Sequence, residues 1–119
     1  MIFHITSRRA WAGAQERGGY RAESLATEGF IHCSTLSQVL PVAENFYKGQ
    51  HGLVLLAIEP ALLSSSLKWE PPSGGTPPPG VPQGDLFPHI YGPINVDAVV
   101  NVVDLEQNFQ GKFRIPNLS

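Results

Sequence analysis

A chain with a single cysteine, Cys33, cannot close an internal disulfide, and no Cys/His spacing in it resembles a structural zinc site. A reducing, cytoplasmic location is expected. A strong charge of one sign is also missing: Lys and Arg total 8 against 10 Asp and Glu, giving a net charge of −2 and a pI near 6.0. Such a balance offers no broad basic field for neutralising phosphates, so duplex nucleic acid is not an expected partner. A small ligand or a local contact to an RNA end stays open. The longest apolar run, Leu53 to Ile58, is strand-sized, far below the roughly 20 residues of a membrane span. No basic segment followed by an apolar signal core is found either, so neither membrane nor leader is expected. HExxH and His-x-His pairs are absent, as are GxGxxG and P-loop patterns, internal repeats and heptads. No metal is expected.

What is present fits one domain over residues 1–119, with 42% hydrophobic residues and enough length to close a core without staples. Met1 to Thr6 reads as a first strand, with His4 on the face opposite Phe3 and Ile5. Ser7 is placed to cap a helix over Arg8 to Arg17 that turns Trp11 inward and stops at Gly18-Gly19. Ser24 to Gly29 forms a turn leading into a brief strand, Phe30 to Cys33. Ser34-Thr35 then caps a second helix to about Tyr47, with an apolar face of Leu36, Val39, Leu40, Ala43, Phe46 and Tyr47. Pro41 predicts a kink or a break there, since it lacks an N–H and clashes with the preceding turn.

Leu53 to Ile58 is continuously apolar and predicts a strand covered on both faces. Leu67 to Glu70 alternates as a further strand, and Val96 to Leu105 reads as a last long one. Residues 71–84 hold six prolines and four glycines, so a long loop is expected, of a size usually kept for lids or functional excursions. Residues 107–119 read as a loosely held tail.

The repeated feature is a histidine inside a short apolar or aromatic stretch. It occurs in Ile2-Phe3-His4-Ile5-Thr6, in Glu28-Gly29-Phe30-Ile31-His32-Cys33-Ser34 and in Phe87-Pro88-His89-Ile90-Tyr91-Gly92-Pro93. His51 alone has a polar, loop-like setting. Taken singly, each strand histidine is explained as a core or hydrogen-bonded scaffold residue. Three in one small domain point toward a shared site suited to ribose hydroxyls, phosphate or acid–base work. Cys33 and His32 are strand neighbours and should diverge, which makes Cys33 a buried small hydrophobe rather than a nucleophile. Tyr91 falls on the strand face of His89 and can stack on a ligand ring or donate its hydroxyl. Glu70, at a strand end before the Pro-rich loop, is the best-placed carboxylate.

These stretches, with Tyr20 before Ser24-Leu25 and with Trp69-Glu70, resemble a small bacterial family called domain of unknown function 952, over nearly the whole chain to Asp104. The resemblance implies an α+β fold like that of the ADP-ribosyltransferases: a split mixed β-sheet with short helices at its edge and a cleft for NAD between its halves. It brings no assigned reaction. By similarity to the RNA 2'-phosphotransferases, which use histidines at the first two of three motif positions, His4 takes the first and His32 the second, with Ser34 near by. His89 or Tyr91 takes the third, where many transferases of that fold carry a Glu that stabilises the cationic ribose; Glu70 substitutes only if the Pro-rich loop folds back.

The resulting expectation is a histidine-lined cleft that binds NAD or an ADP-ribose-like nucleotide, in an ADP-ribosyl- or phospho-transferase-like enzyme acting on a nucleotide or on modified RNA or protein. His4, His32, His89 and Glu70 are the expected catalytic residues, with Tyr20, Ser34 and Tyr91 against the nucleotide. The alternatives are a non-catalytic nucleotide- or protein-binding module with a degenerate cleft and, more remotely, a metal-dependent hydrolase.

Overall fold

The first strand, β1 (Ile2–Ser7), is buried from Ile2 to Thr6, polar and apolar side chains alike. The computed structural model, which describes residues 1–116, shows why. β1 pairs antiparallel with β4 (Leu53–Ile58) from Ile2↔Ile58 to Ser7↔Leu53, and β4 pairs in turn with β8 (Val99–Asp104). All six residues of β4 are buried, as its unbroken apolar run requires of a strand covered on both faces. Because side chains alternate, Ile2, Val54, Leu56 and Ile58 pack on one face with Trp11, Ala14, Tyr20, Ile31 and Ile90. Phe3, Ile5, Leu53, Leu55 and Ala57 pack on the other with Val39, Ala43, Leu105 and Phe113.

A second three-stranded sheet has β6 (Phe87–Tyr91) between β3 (Ile31–His32) and β5 (Ser66–Glu70). The two sheets meet at residues 31–34. Ile31 and His32 pair with Ile90 and His89, the Cys33 N–H donates to the Pro88 carbonyl at 3.1 Å, and Ser34 exchanges both backbone bonds with Phe3 at 2.8 Å. One short segment thus changes partner from β6 to β1, and the sheet is split there. Every pairing among the described residues is antiparallel, which corrects the mixed sheet expected from the resemblance. Among the described residues no strand–helix–strand crossover returns to the same sheet: β1 leads through α1 (Arg8–Arg17) to β2 (Gly19–Tyr20), which pairs instead with β7 (Ile94–Asn95). The architecture is α+β, with several antiparallel sheets and few, short helices.

Ser7 caps α1 by accepting from the Ala10 N–H at 3.0 Å, and Gly18 closes it in the left-handed region at φ 84°. Trp11 and Ala14 are its buried residues. A short helix, α2 (Glu23–Thr27), ends at Glu28, and Gly29 at φ 90° turns the chain into β3. The third helix, α3 (Leu36–Phe46), starts on a Thr35–Gln38 capping box and runs as one helix through Pro41 instead of breaking there. Proline removes only the N–H that would have reached one turn back; its ring meets Gly80 of the loop, 3.2 Å from where a Cβ would stand. Val39 and Ala43 face the core, whereas Leu36 and Phe46 are exposed.

The expected long strand Val96 to Leu105 is interrupted by a 3-10 turn at Val96–Ala98 before β8. Asn95 imposes the turn: its side chain accepts from the Ser64 N–H at 3.0 Å and donates to the Leu62 carbonyl at 2.8 Å and to Asp97 at 2.6 Å. In the tail, β9 (Glu106–Gln107) and β10 (Phe113–Arg114) pair, and Phe113 is buried in the core, so the chain is held well past Gln107. The remainder of the expected tail, 117–119, lies outside the described residues.

Candidate functional site

The side-chain alternation that builds the two core faces also decides which histidines can meet. Phe3 and Ile5 of β1, His32 of β3 and Phe87 and His89 of β6 point to the α3 side of the split sheet and line one cleft of ≈ 340 Å³. Ser34 joins them at the seam between the sheets, Val42, Phe46 and Tyr47 at the end of α3 form a second wall, and Pro72, Ser73, Thr76 and Pro78 of the Pro-rich loop form the third. That loop is fastened to α3: Asn45 donates to the Pro79 carbonyl at 3.2 Å, and Val81 is buried. At the loop's far end Gln38, itself buried, donates to the Leu86 carbonyl at 3.0 Å and to Asp85 at 3.2 Å.

His89 is 3% exposed and is held on two sides. Its ring stacks on Phe30, centroids 4.1 Å apart, and Nδ1 lies 2.8 Å from Glu70 Oε1. A carboxylate only accepts, so Nδ1 carries a proton and Nε2 is left as the acceptor of a neutral ring. No buried side-chain nitrogen or oxygen lacks a partner among the described residues, and Nε2 has none, so Nε2 is the atom that reaches the open cleft. The Tyr91 hydroxyl donates to the same Glu70 oxygen at 2.5 Å. These two donors, Tyr91 first and His89 second, hold the Glu70 carboxyl below its ordinary value, and the carboxylate pushes the Tyr91 phenol up. Lys68 sits 4.9 Å from the Tyr91 ring centroid.

His32 makes a second, more open pair. Its Nε2 lies 3.0 Å from Glu28 Oε2, and Ser73 donates to Glu28 Oε1 at 3.1 Å, so the loop, the α2–β3 turn and β3 are joined through one carboxylate. The side chains of His32 and Glu28 are 43% and 39% exposed. The hydrogen bond from His32 is the main reason the Glu28 carboxyl titrates below its usual range. The two imidazoles stand with ring centroids 5.6 Å apart at 77°. No lysine or arginine lines the cleft, and Glu28 is its one lining carboxylate among the described residues. Such paired imidazoles can exchange protons with a bound molecule, each with a carboxylate to stabilise the protonated ring.

His4 and Tyr20 stand apart from this cleft. His4 points to the opposite face of β1, as the alternation predicts, and is 6% exposed. Its Nδ1–H donates to the His32 carbonyl at 2.6 Å, while Nε2 meets the Tyr20 hydroxyl at 2.8 Å. That hydroxyl also lies 2.9 Å from Thr6 Oγ1. Burial lowers the His4 pKa to about 4, so the ring is neutral at pH 7. Its contact with the site is through the backbone that carries His32. Glu70 and Tyr91 likewise reach the cleft only through His89, since neither lines it. Cys33 is buried and burial drives its thiol pKa up, so it is no ready nucleophile.

Sequence reasoning placed Glu28 and Phe30 in the central motif without giving either a role at the site, and it missed Ser73. The four-residue spacing of Glu28 and His32 was the available signal, masked because a turn, not a helix, separates them. Among the described residues no group of three His, Cys, Asp or Glu stands together to hold a metal, and no helix is long and apolar enough to cross a membrane.

Residues 5–102 match the family described as "Protein of unknown function (DUF952)". The chain is also similar to protein CC0527 from Caulobacter crescentus. Against its crystal structure the identity is 34% and the TM-score 0.79, with 95% of this chain and 92% of that chain covered. Against its solution NMR structure the identity is 35% and the TM-score 0.73, with coverage of 98% and 91%. No curated protein matches.

Proposed function

The chain belongs to the DUF952 family, whose description names no reaction, and we propose from its cleft that it is an ADP-ribosyltransferase-like enzyme binding NAD or an ADP-ribose-like nucleotide. The observation that carries this reading is the convergence of His32 and His89 from two strands onto one cleft, each with its own carboxylate. The break in the sheet at residues 31–34, with the cleft opening beside it, is what supports the ADP-ribosyltransferase-like fold. The volume of ≈ 340 Å³ is near the lower end of small-ligand pockets, which run about 300–1,000 Å³. One base-and-ribose end of a dinucleotide fits that space, and the remainder extends over the mouth. Phe3, Phe46 and Phe87 provide the flat apolar walls.

In this reading His89 Nε2 takes the proton of a substrate hydroxyl while Glu70, behind it, stabilises the imidazolium. His32, backed by Glu28, is the second acid–base group. His4 is a positioning residue: its Nδ1–H fixes the His32 carbonyl and so the strand that presents His32. Tyr91 orients Glu70 instead of stacking on the ligand. The nucleotide supplies the transferable ribosyl or phosphoryl group, and the chain supplies orientation and proton transfer. A transferase acting on nucleotide, or on modified RNA or protein, is the resulting activity class.

A thermal-shift titration against NAD, ADP-ribose, nicotinamide and AMP tests this. Ligand at 100 times its dissociation constant stabilises by about 2.7 kcal/mol, a Tm rise of roughly several degrees for a domain of this size. Loss of that rise in His32→Ala and His89→Ala is expected. No rise with any of the four ligands would overturn the reading, and binding without turnover would leave a non-catalytic nucleotide-binding module.

A further inference from the structure

The charge of the cleft says which part of a ligand enters it. Glu28 ends α2, where its N–H donates to the Ser24 carbonyl at 2.7 Å, and its side chain lines the cleft. Both carboxylate oxygens are held, one by His32 and one by Ser73, which fixes the negative charge in place. Around it stand Phe3, Ile5, Val42, Phe46 and Phe87, with no lysine or arginine among the described lining residues. A phosphate pushed into this space would leave water for apolar walls and a like charge. A flat cation would meet aromatic faces and a carboxylate together.

We infer that Glu28 makes the cleft selective for a cationic nitrogen heterocycle, such as the pyridinium end of a nucleotide, over neutral or anionic rings of the same shape. The inference rests on the nucleotide reading above and deepens it by naming the end that enters. The diphosphate then stays at the mouth, outside the apolar walls. Glu28 acts here as a specificity determinant and not as an acid or base.

The experiment is calorimetric or NMR-detected binding of three matched probes: the N-methylnicotinamide cation, neutral nicotinamide and anionic nicotinate. For the parent protein the order is cation, then neutral, then anion, with about a three- to tenfold step between the first two, as a half-exposed charge pair allows. Glu28→Gln keeps the shape and an acceptor for one of the two partners and removes the charge, so it collapses that step while nicotinamide affinity holds. A Tm close to the parent's shows that the variant is folded, as expected for a half-exposed side chain. Equal affinity for cation and nicotinamide in the parent, or an undiminished preference in Glu28→Gln, overturns the inference. If ADP-ribose binds and none of the three rings does, the inference fails while the nucleotide reading stands; if nothing binds, both fail.

Discussion

His4 and His89 occupy comparable places in the two halves of the split sheet, yet one is sealed and the other is half open. Both are almost fully buried and both use Nδ1–H to hold an oxygen. For His4 that oxygen is a backbone carbonyl and the other nitrogen is also satisfied, by Tyr20. For His89 the oxygen belongs to a carboxylate, and the other nitrogen faces the cleft. A saturated imidazole can only support structure. One with a free nitrogen and a carboxylate behind it can move a proton. The difference arises from the parity of the strand position, not from the residue.

The largest test of that contrast is on stability. His4→Ala empties a buried site, takes the side-chain donor from the His32 carbonyl and leaves the Tyr20 hydroxyl with Thr6 alone, so a loss of about 2–4 kcal/mol is expected in urea unfolding. A loss under about 1 kcal/mol would mean the sealed side is less well packed than its hydrogen bonds imply. The same residue sets a pH dependence. Burial holds its pKa at about 4 in the folded chain against an ordinary 6.5, so the unfolded chain binds the proton first. Stability is full above pH 6.5, falls as pH drops, and is about 3 kcal/mol lower once pH passes 4. His4→Gln flattens the stability curve between pH 6.5 and 4.5. Below that, Glu28 and Glu70, whose folded pKa values are depressed, add their own loss as they protonate. An unchanged slope in His4→Gln would move the effect to another group.

On the open side the expected loss is in turnover. Glu70→Gln keeps the fold, since Glu70 is a partly exposed strand end, but an amide can donate to Nδ1 and so favours the other tautomer of His89. Turnover should fall about a hundredfold, in the range that general acid–base groups contribute, with affinity for nucleotide nearly unchanged. Equal losses of affinity and turnover would make His89 a binding residue instead.

Much of this contrast is legible in the sequence. The alternation in Ile2 to Thr6 already sets His4 against Phe3 and Ile5, and that parity alone removes His4 from any cleft lined by those two residues. The unbroken Leu53 to Ile58 run and the Ser7 cap are local signals that tertiary packing leaves intact. The pairing of Glu70 with His89 was not legible, because it depends on register between β5 and β6 across a 16-residue connection, Pro71 to Leu86. Nor was the break at Val96–Ala98: its β-branched and apolar neighbours favour a strand, and the turn is imposed by Asn95 contacts to residues more than 30 positions earlier. Long-range hydrogen bonds leave no periodicity to read.

The smallest expected effect concerns the Pro-rich loop, the third wall of the open side. Ser73 contributes one exposed hydrogen bond to Glu28, 3.1 Å long. Such a bond in water is worth at most about 1 kcal/mol. The loop does not depend on it for its shape: Val81 is buried, Asn45 holds the Pro79 carbonyl, and Gln38 pins the Leu86 end. Six prolines also lower the entropy the loop loses on folding. Ser73→Ala should therefore leave Tm within about 1–2 °C of the parent, since ~0.5 kcal/mol shifts a domain of this size little. What the bond does secure is the contact between the loop and the carboxylate over the cleft. Ligand dissociation, followed by stopped flow or NMR line shape, should speed up about two- to threefold in Ser73→Ala, the equivalent of roughly 0.5 kcal/mol. An unchanged rate would make residues 71–84 a fixed wall that ligands pass without moving. A faster rate at constant Tm would show that the wall opens locally.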